Sequence, residues 1–372
     1  MAGANPAVEV LPVPADVDLR PERYRPAPPP AEVIEQFPIA VVGCGGIMRS
    51  AHLPAYQRFG YRVVVACDII EDNARRAAEQ FGIPRYTTRL EDVLDDPQVK
   101  VVDLAVHATQ RRPLIEQIAA AGKHILSQKP FAMSFAEAQQ MVEICERAGV
   151  TLMVNQQARW APAHRALKLV LESGALGHLY SVLHLNRSFQ DVPESWYVKL
   201  QHFNIVDHGI HYIDLSRYYT GQTPLRIKAT TTLVPGQAAV SPMIYTILCE
   251  YAEYAPGAQL MATLHFNNIV RVRQSLGRYE WFLDGTEGSA VASSTELALS
   301  TRDDPLRRQV FAIQGTWFPE AFGGSMGELL TALAERRLPL THGRDNLQSI
   351  KIALAAVESS ETGRTVALDE IG

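Results

Sequence analysis

The chain has 372 residues, of which 47% are apolar, and it carries a formal net charge of -5 at pH 7 with a sequence pI near 6.1. This length exceeds one ordinary hydrophobic core and predicts two domains. The basic residues are scattered, which argues against a nucleic-acid partner, and no apolar run approaches the roughly 18 residues of a membrane span, which argues against a membrane protein.

The N-terminal segment, residues 1–36, is rich in proline and charge. It lacks the apolar core of a secretory signal, so we interpret it as an extended arm rather than a leader. Two alternatives fit this composition: a disordered tail, or a strap that lies on a neighbouring subunit.

Residues 37–157 alternate short β-branched runs with helical stretches. This pattern predicts an α/β domain built on a doubly wound parallel sheet, the Rossmann arrangement. The expected strands are 39–42, 63–67, 99–106, 124–126 and 151–154, and the expected helices are 73–81, 113–121 and 135–148. A glycine follows each helix as at a C-cap, and Ser134 with Glu137 predicts a capping box.

A glycine-rich turn, Gly43-Cys44-Gly45-Gly46, directly follows the first strand. Such a turn lets the backbone approach a pyrophosphate, which the helix N-terminus attracts. Asp68 ends the second strand and suits the ribose hydroxyls of NAD, while it would repel the 2′-phosphate of NADP. The sequence therefore predicts an NAD site. The expected cofactor contacts are Gly43, Gly45, Gly46, Ile47, Met48, Asp68, Ile69, His107, Ala108, Thr109, Gln128 and Lys129.

Lys129 follows the strand 124–126, at the edge where parallel strands line the ligand crevice. Most lysines in loops are simply surface residues. The position of Lys129 favours a functional role beside the cofactor, and Pro130 fixes the turn that follows it.

The composition changes beyond Trp160, and residues 158–372 form the second predicted domain. A helix at 164–171 precedes alternating strands at 180–187, 226–233, 244–251, 259–266 and 278–283. Alternation predicts a mostly antiparallel sheet with one open face. Such a face commonly becomes a subunit interface, so we expect a homo-oligomer.

Asp207 and His211 lie four residues apart in a predicted helix at 205–219. That spacing puts both side chains on one face, where the carboxylate could orient the imidazole for proton transfer. The simpler alternative is a surface pair of little energetic weight. A metal site that includes His202 and His208 is less favourable, because no complete ligand set shows a clear spacing; we predict no metal.

The four cysteines stand singly in apolar surroundings, without metal-type spacing and without the framework of a short secreted domain. They are Cys44, Cys67, Cys145 and Cys249. We expect buried thiols in a reducing compartment, and hence a cytoplasmic protein.

Several motifs together resemble those of the Gfo/Idh/MocA family, which includes glucose-fructose oxidoreductase and inositol dehydrogenase. They are Gly43 to Ile47 with His52-Leu53-Pro54, Gly122-Lys123-His124 leading to Gln128-Lys129-Pro130, Asn155 to Trp160, and Asp207 to His211 followed by Ile213-Asp214. The resemblance extends from about residue 37 to 368. It implies a Rossmann domain and a C-terminal α/β domain that binds substrate and whose large open sheet forms dimers or tetramers. It also implies NAD(P) chemistry on sugars, polyols or their derivatives.

Carried over residue by residue, the resemblance implies that Lys129 contacts the reacting hydroxyl, that His211 is the acid/base, and that Asp207 is its partner. Three positions depart from the family pattern. Gln128 stands where the family has glutamate, Gln110 where proline commonly follows a threonine, and Met48 where the glycine loop has a small residue that allows close helix packing.

The predicted function is NAD-dependent oxidation of a carbinol of a sugar, polyol or sugar derivative. The expected substrate contacts are Asn155, Gln157, Arg159, Trp160, His202 and Asn204, with His184, Asn186, Arg187 and Trp196 as further candidates. One alternative is a glycoside-cleaving enzyme in which NAD transiently oxidises the sugar and is then restored. A non-catalytic nucleotide-binding protein is the less favoured alternative.

Overall fold

The computed structural model describes residues 17–271 and 278–372. Its first sheet has six parallel strands in the order β3-β2-β1-β4-β5-β6. They are β1 Ile39–Val42, β2 Val63–Cys67, β3 Tyr86–Thr87, β4 Val101–Leu104, β5 His124–Gln128 and β6 Leu152–Asn155. The predicted doubly wound sheet is confirmed. Strands β1, β4 and β6 are buried at every residue, as expected when helices cover both faces.

Seven α-helices belong to the part of this half that the structure describes. They are α1 Pro21–Tyr24, α2 Ala31–Gln36, α3 Leu53–Phe59, α4 Glu71–Phe81, α5 Glu91–Leu94, α6 Arg111–Ala120 and α7 Phe135–Arg147. Gly82 ends α4 in the left-handed conformation that glycine favours. The Ser134 hydroxyl accepts the Glu137 N–H at 3.3 Å, so the predicted cap of α7 is present.

A π-helical turn, Met48–His52, precedes α3. The Leu53 N–H donates to Met48 O, five residues back, in place of the usual four. Pro54 follows, and its ring has no N–H to donate and would crowd a regular turn. The wide turn accommodates both Pro54 and the buried Met48 side chain, so the helix is rearranged where a small residue was expected.

The second sheet has nine strands in the order β14-β13-β12-β11-β7-β10-β9-β8-β15. They are β7 Leu179–Arg187, β8 Arg226–Thr232, β9 Ile244–Ala255, β10 Ala258–Asn267, β11 Arg278–Gly285, β12 Gly288–Ala292, β13 Glu296–Thr301, β14 Asp304–Ala312 and β15 Val366–Ala367. Only β7 and β10 pair in parallel, which confirms the mostly antiparallel prediction. Strands β12, β13 and β14 were not predicted from the sequence.

The described residues of the C-terminal half also form four α-helices: α8 Pro162–Glu172, α9 Ile210–Thr220, α10 Glu320–Ala334 and α11 Gly343–Thr362. Helices α8, α9 and α11 contact one side of the sheet, while α10 and α11 also contact α3 and α7 of the first half. Side chains along β9 alternate between buried and half-buried, so the opposite side of the sheet is open as predicted. No helix in the described ranges is long and apolar enough to cross a membrane.

The described part of the N-terminal arm packs against the chain's own body. Val17 and Tyr24 are only 4% and 2% exposed and belong to the main apolar cluster. Pro26 lies where a Cβ on Gly324 of α10 would meet it at 2.6 Å, so the arm and α10 are in close contact. A disordered tail is therefore the wrong prediction for residues 17–36, because their apolar side chains pack into this chain's core. Residues 1–16 of the predicted arm lie outside the described residues, and its contact with a neighbouring subunit stays a prediction.

Candidate active site

The glycine-rich turn has the geometry of a phosphate cradle. Gly43 has a φ of +90°, and a Cβ there would meet Ala105 O at 2.8 Å, so only glycine fits. A Cβ on Gly45 or Gly46 would meet nothing within 4 Å. The helix begins at residue 46, so its first N–H groups have no partner within the helix. These groups and the open approach fit the pyrophosphate of a dinucleotide.

Asp68 is held beside this turn by two backbone N–H groups. Its Oδ2 accepts from Cys44 and its Oδ1 from Ile70, each at 2.8 Å. Each carboxylate oxygen keeps a lone pair, which can accept a ribose hydroxyl. Ile69 is 87% exposed next to it. The geometry of Asp68 therefore fits the predicted ribose contact.

Two neighbouring side chains differ from the predicted cofactor contacts. Met48 is fully buried in the apolar core, so its side chain is not available to the cofactor as predicted. Arg49, which sequence analysis missed, donates from Nε to Cys44 O at 3.1 Å and thus covers the glycine turn. An arginine in the first helical turn was the available signal, since a pyrophosphate is recognised by cations as well as by backbone N–H groups.

The carboxyl ends of β4, β5 and β6 lie side by side. The β5–β6 register pairs Gln128 with Asn155, and both are buried. Polar atoms of Asn155, Gln156 and Gln157 have no protein partner within the described ranges, although these side chains are at most 1% exposed. Buried polar groups are seldom left unpaired. Their concentration at this edge fits the polar groups of a nicotinamide or of a substrate.

The turn after β4 carries the other predicted cofactor contacts. Ala108 is buried at the start of a 3-10 turn, while His107 and Thr109 are exposed. The His107 ring meets the Trp196 ring edge-on at 4.7 Å between centroids. Trp196 belongs to the second half of the chain, so this contact bridges the two sides of the crevice.

Lys129 and Asp207 form the polar bridge across the crevice. Lys129 Nζ donates to Asp207 Oδ1 at 2.7 Å and to Asp207 O at 3.1 Å. The two side chains are 13% and 16% exposed, so the pair is shielded but reachable. A charge-assisted bond of this length is among the stronger hydrogen bonds of proteins.

The predicted pairing of Asp207 with His211 is wrong. The His211 Nδ1 has no protein partner within the described residues, and the Asp207 carboxylate binds Lys129 instead. Asp207 lies within a π-helical turn, Asn204–His208, that precedes α9, and the Gly209 N–H donates to Asn204 O at 2.7 Å. This wider turn removes the regular four-residue spacing on which the prediction depended.

His211 is buried as a neutral imidazole. Desolvation, followed by the nearby Lys129 cation, holds the pKa of His211 well below its ordinary value. The ring is 8% exposed and meets the Trp317 ring edge-on at 5.7 Å between centroids. A neutral imidazole close to Lys129 has a lone pair with which to accept a proton.

His208 has partners on both ring nitrogens. Gln190 Nε2 lies 2.9 Å from His208 Nε2, and the Tyr245 hydroxyl lies 3.4 Å from Nδ1. Tyr245 donates its own proton to Asn204 O at 2.7 Å, so its oxygen can accept the Nδ1 proton. Burial and the Lys129 charge lower the pKa of His208 to about 3. Because both of its ring nitrogens already have protein partners, His208 is not available to abstract a proton from carbon.

A cavity of about 420 Å³ lies beside the end of β7 and the start of β11, next to Tyr212 of α9. Its lining comprises Asn186, Arg187, Ser188, Gln190, His208, Tyr212, Tyr279, Glu280, Ser293, Ser294 and Thr295. His208 follows Asp207 in the chain, so the cavity adjoins the Lys129 pair. Asn186 Nδ2 donates to the Tyr212 hydroxyl at 3.2 Å. Amides, hydroxyls and aromatic faces of this kind suit a hydroxylated ligand.

Arg159 and Trp160 were predicted to contact substrate, but both side chains are engaged within the protein. Arg159 donates to both Asp214 oxygens, at 2.6 and 2.7 Å, and to Asp345 at 3.0 Å. Its guanidinium is therefore used to join the end of β6 to α9 and α11. Trp160 is 4% exposed in the core, where a Cβ on Gly324 would meet it at 2.8 Å. Both side chains therefore stabilise the fold. The donors of Arg159 are already bonded to carboxylates, and the Trp160 ring is buried, so neither is available to a substrate.

His202 and Asn204 also differ from their predicted role. His202 Nε2 lies 3.3 Å from Glu361 Oε1, near the end of α11. Asn204 is fully buried and donates to Pro242 O at 2.8 Å, while it accepts from Asn268 at 3.1 Å. Neither residue lines the cavity.

The further candidates separate by the faces of β7. Asn186 faces α9, as does His184, whose buried ring stacks on Tyr212 at 4.4 Å. Arg187 occupies the alternate position, which points to the open side of the sheet. Tyr212, Gln190 and Tyr279 line the cavity but were not predicted from the sequence. The two-residue alternation of β7 indicates which face Asn186 occupies, but it does not show which residues of other elements lie opposite that face.

Among residues 17–271 and 278–372, no three His, Cys, Asp or Glu side chains lie close enough together to hold a metal ion. All four cysteines are buried and unpaired.

Two family models match the chain. Residues 37–156 match the oxidoreductase family with an NAD-binding Rossmann fold, and residues 164–291 match the C-terminal domain of the same Gfo/Idh/MocA group. Together they cover more than half of the chain.

The individual proteins that this chain resembles are also oxidoreductases. D-apiose dehydrogenase of Paraburkholderia graminis is 30% identical, with 91% of each chain covered. Myo-inositol 2-dehydrogenase of Thermotoga maritima is 22% identical, with 90% of this chain and 99% of that protein covered. A crystal structure of an oxidoreductase from Agrobacterium radiobacter, in complex with NAD+, L-tartaric acid and magnesium, has a TM-score of 0.81 and 26% identity, and covers 91% of this chain and 100% of that chain.

Proposed function

The chain belongs to the Gfo/Idh/MocA oxidoreductase family, and on that premise we propose that Lys129, Asp207 and His211 form the catalytic group of an NAD-dependent dehydrogenase. The enzyme oxidises a carbinol of a sugar or polyol. NAD+, when bound, accepts the hydride from the carbinol carbon. The residues of this chain bind the cofactor, orient the hydroxyl and take up its proton.

The glycine turn and Asp68 would hold the dinucleotide, with Arg49 adding a positive charge beside the pyrophosphate. The nicotinamide half would then lie along the carboxyl ends of β4, β5 and β6, within reach of Asn155 and Gln157. This placement gives the buried amides at the end of β6 the partners that they lack within the protein.

Lys129 would donate a hydrogen bond to the hydroxyl that is being oxidised, since developing alkoxide charge is stabilised by a fixed cation. Asp207 holds the ammonium group in place through the 2.7 Å bond to its Oδ1. His211, neutral and buried, would accept the hydroxyl proton as the hydride leaves. The Lys129–Asp207 bridge, at the edge where the cofactor fits, is the observation that carries this proposal.

The cavity between β7, β11 and α9 would receive the rest of the substrate. Its amide, hydroxyl and imidazole groups favour a carbohydrate, and the Tyr212 and Tyr279 rings can contact the apolar face of a sugar ring. Sugars and polyols acted on by the relatives are therefore the first compounds to test.

The test is incubation of the purified protein with NAD+ and a panel of pentoses, hexoses, inositols and anhydrosugars. NADH absorbance and the oxidised product should rise one for one with at least one compound. The Lys129→Met variant should bind NADH yet lose turnover on the same compound. Tight NADH binding without turnover on any compound would support the non-catalytic alternative.

A homo-oligomer formed through the open side of the second sheet is also proposed. Leu183 and Met261 are 36% and 46% exposed there, and Leu183 of β7 directly opposes Phe282 of the neighbouring strand β11. These apolar side chains favour burial against a second copy. The four buried, free thiols support the proposal that the protein functions in a reducing compartment such as the cytoplasm.

A further inference from the structure

Arg111, the first residue of α6, is a buried cation outside the proposed catalytic group. It is 2% exposed, and among the described residues it makes no ion pair with a carboxylate. A buried arginine ordinarily has an anionic partner, because removing its charge from water is costly. Burial lowers the pKa of Arg111 to about 9, which keeps its guanidinium charged at neutral pH.

The guanidinium of Arg111 binds backbone carbonyls from two separate turns. Its Nε and Nη2 donate to Val106 O at 2.9 and 2.7 Å. Its Nη1 donates to Pro130 O and, at 3.4 Å, to Phe131 O. The planar fork with fixed donor directions is suited to joining groups that lie on its different sides.

These carbonyls flank two parts of the site. Val106 directly precedes His107 in the turn after β4, and Pro130 directly follows Lys129 in the turn after β5. Strands β4 and β5 are parallel neighbours, so the two turns lie side by side at the ligand edge. One buried side chain therefore fixes the backbone on both sides of the nicotinamide end of the crevice.

We propose that Arg111 is a positioning residue that sets the place of Lys129 by clamping the turn after β5 to the turn after β4. The inference rests on the proposed function, because it assumes that Lys129 acts on the reacting hydroxyl. A displacement of about 1 Å in a reacting group can cost about 100-fold in rate. Loss of the clamp should therefore act on turnover more than on cofactor binding.

The first variant is Arg111→Met, which keeps most of the buried volume and removes every donor. We expect kcat to fall about 10- to 100-fold, while calorimetry still detects NADH binding. Arg111→Lys keeps the charge but has no fork to span both turns, so its kcat should lie between those of wild type and Arg111→Met. If Arg111→Met does not fold, Arg111→Lys carries the same comparison.

Lys123 offers a matched control. It is 8% exposed, and its Nζ donates only to backbone carbonyls, Asp96 O at 2.8 Å and Val99 O at 3.0 Å. It precedes β5, at the opposite edge of the same sheet. Lys123→Met should lower the melting temperature without the specific loss of kcat.

A double-mutant cycle with Lys129→Met decides whether Arg111 acts through Lys129. Arg111→Met should reduce kcat strongly in the wild-type background and by less than about twofold in the Lys129→Met background. Equal losses in both backgrounds, or a loss no greater than that of Lys123→Met, would overturn the positioning role. Full activity of Lys129→Met alone would instead refute the proposed catalytic group, so the two failures are distinguishable.

Discussion

Tyr24→Ala should destabilise this chain's own core rather than weaken contact between subunits. Tyr24 lies in the N-terminal arm and is 2% exposed within the main apolar cluster. Its hydroxyl oxygen accepts the backbone N–H of Gln314 at 3.1 Å. The arm, although rich in proline, therefore contributes a buried aromatic ring and a hydrogen bond to the fold.

The magnitude follows from the buried surface. An aromatic side chain buries about 150–250 Å², which at about 25 cal/mol per Å² corresponds to about 4–6 kcal/mol. Measured aromatic-to-alanine losses in cores are about 3–5 kcal/mol. We expect a loss of about 4 kcal/mol in the free energy of unfolding for Tyr24→Ala, a fall of roughly 8–16 °C in melting temperature. Tyr24→Phe loses only the acceptor and should cost about 1 kcal/mol.

The measurement is thermal and urea unfolding followed by circular dichroism, with light scattering to give the mass of the assembly. Tyr86→Ala is the control, because Tyr86 is 44% exposed and its loss should change stability by less than about 0.5 kcal/mol. An unchanged melting temperature together with a smaller assembly would refute the reasoning and return the arm to the role of a strap on a neighbour.

Four further outcomes are expected. Asp68→Ser should relax the preference for NAD over NADP in calorimetry, and equal affinities in the unmodified protein would show that Asp68 does not face the ribose. Lys129→Met should lose about 10²- to 10³-fold in kcat with NADH binding retained, whereas near-normal kcat would remove it from the mechanism. Burial lowers the pKa of His164 to about 4, so the unfolded chain binds a proton that the folded chain does not. The free energy of unfolding should therefore fall by about 2 kcal/mol between pH 7 and pH 5. In urea unfolding at these two pH values, His164→Gln should remove this decrease, and an unchanged decrease would contradict the prediction. In deuterated water with catalytic NAD+, a cleaved glycosidic bond, deuterium beside the oxidisable carbon and no accumulated NADH would replace net oxidation by redox recycling.

Local pattern predicted most of the cofactor side. The strand before Gly43, the turn itself and Asp68 at the end of β2 are set by short-range features: a buried apolar run, a backbone conformation that only glycine adopts, and an acid at a strand end. These features need no knowledge of distant residues. The position of Lys129 at the ligand edge followed in the same way, from its place directly after β5 in a parallel sheet.

Contacts between residues that are distant in the sequence were harder to predict. The four-residue spacing predicted that Asp207 orients His211, but a π-helical turn and the Lys129 cation, 78 positions away, decided its partner. Arg159 has a polar, exposed-looking context in the sequence, yet Asp214 and Asp345 take its donors. One-dimensional spacing cannot specify such partners, because they depend on which elements cross.

The sequence by itself determined the class of this protein: a parallel dinucleotide-binding sheet, then an open antiparallel sheet, with a lysine at the ligand edge. Tertiary structure alone decided that residues 17–36 complete the core, that Asp207 binds Lys129, and that Arg111 joins the two turns beside it. The difference has one physical cause. Periodicity and turn chemistry act over a few residues, whereas a buried charge or ring is stabilised by whichever distant groups the packed chain brings to it.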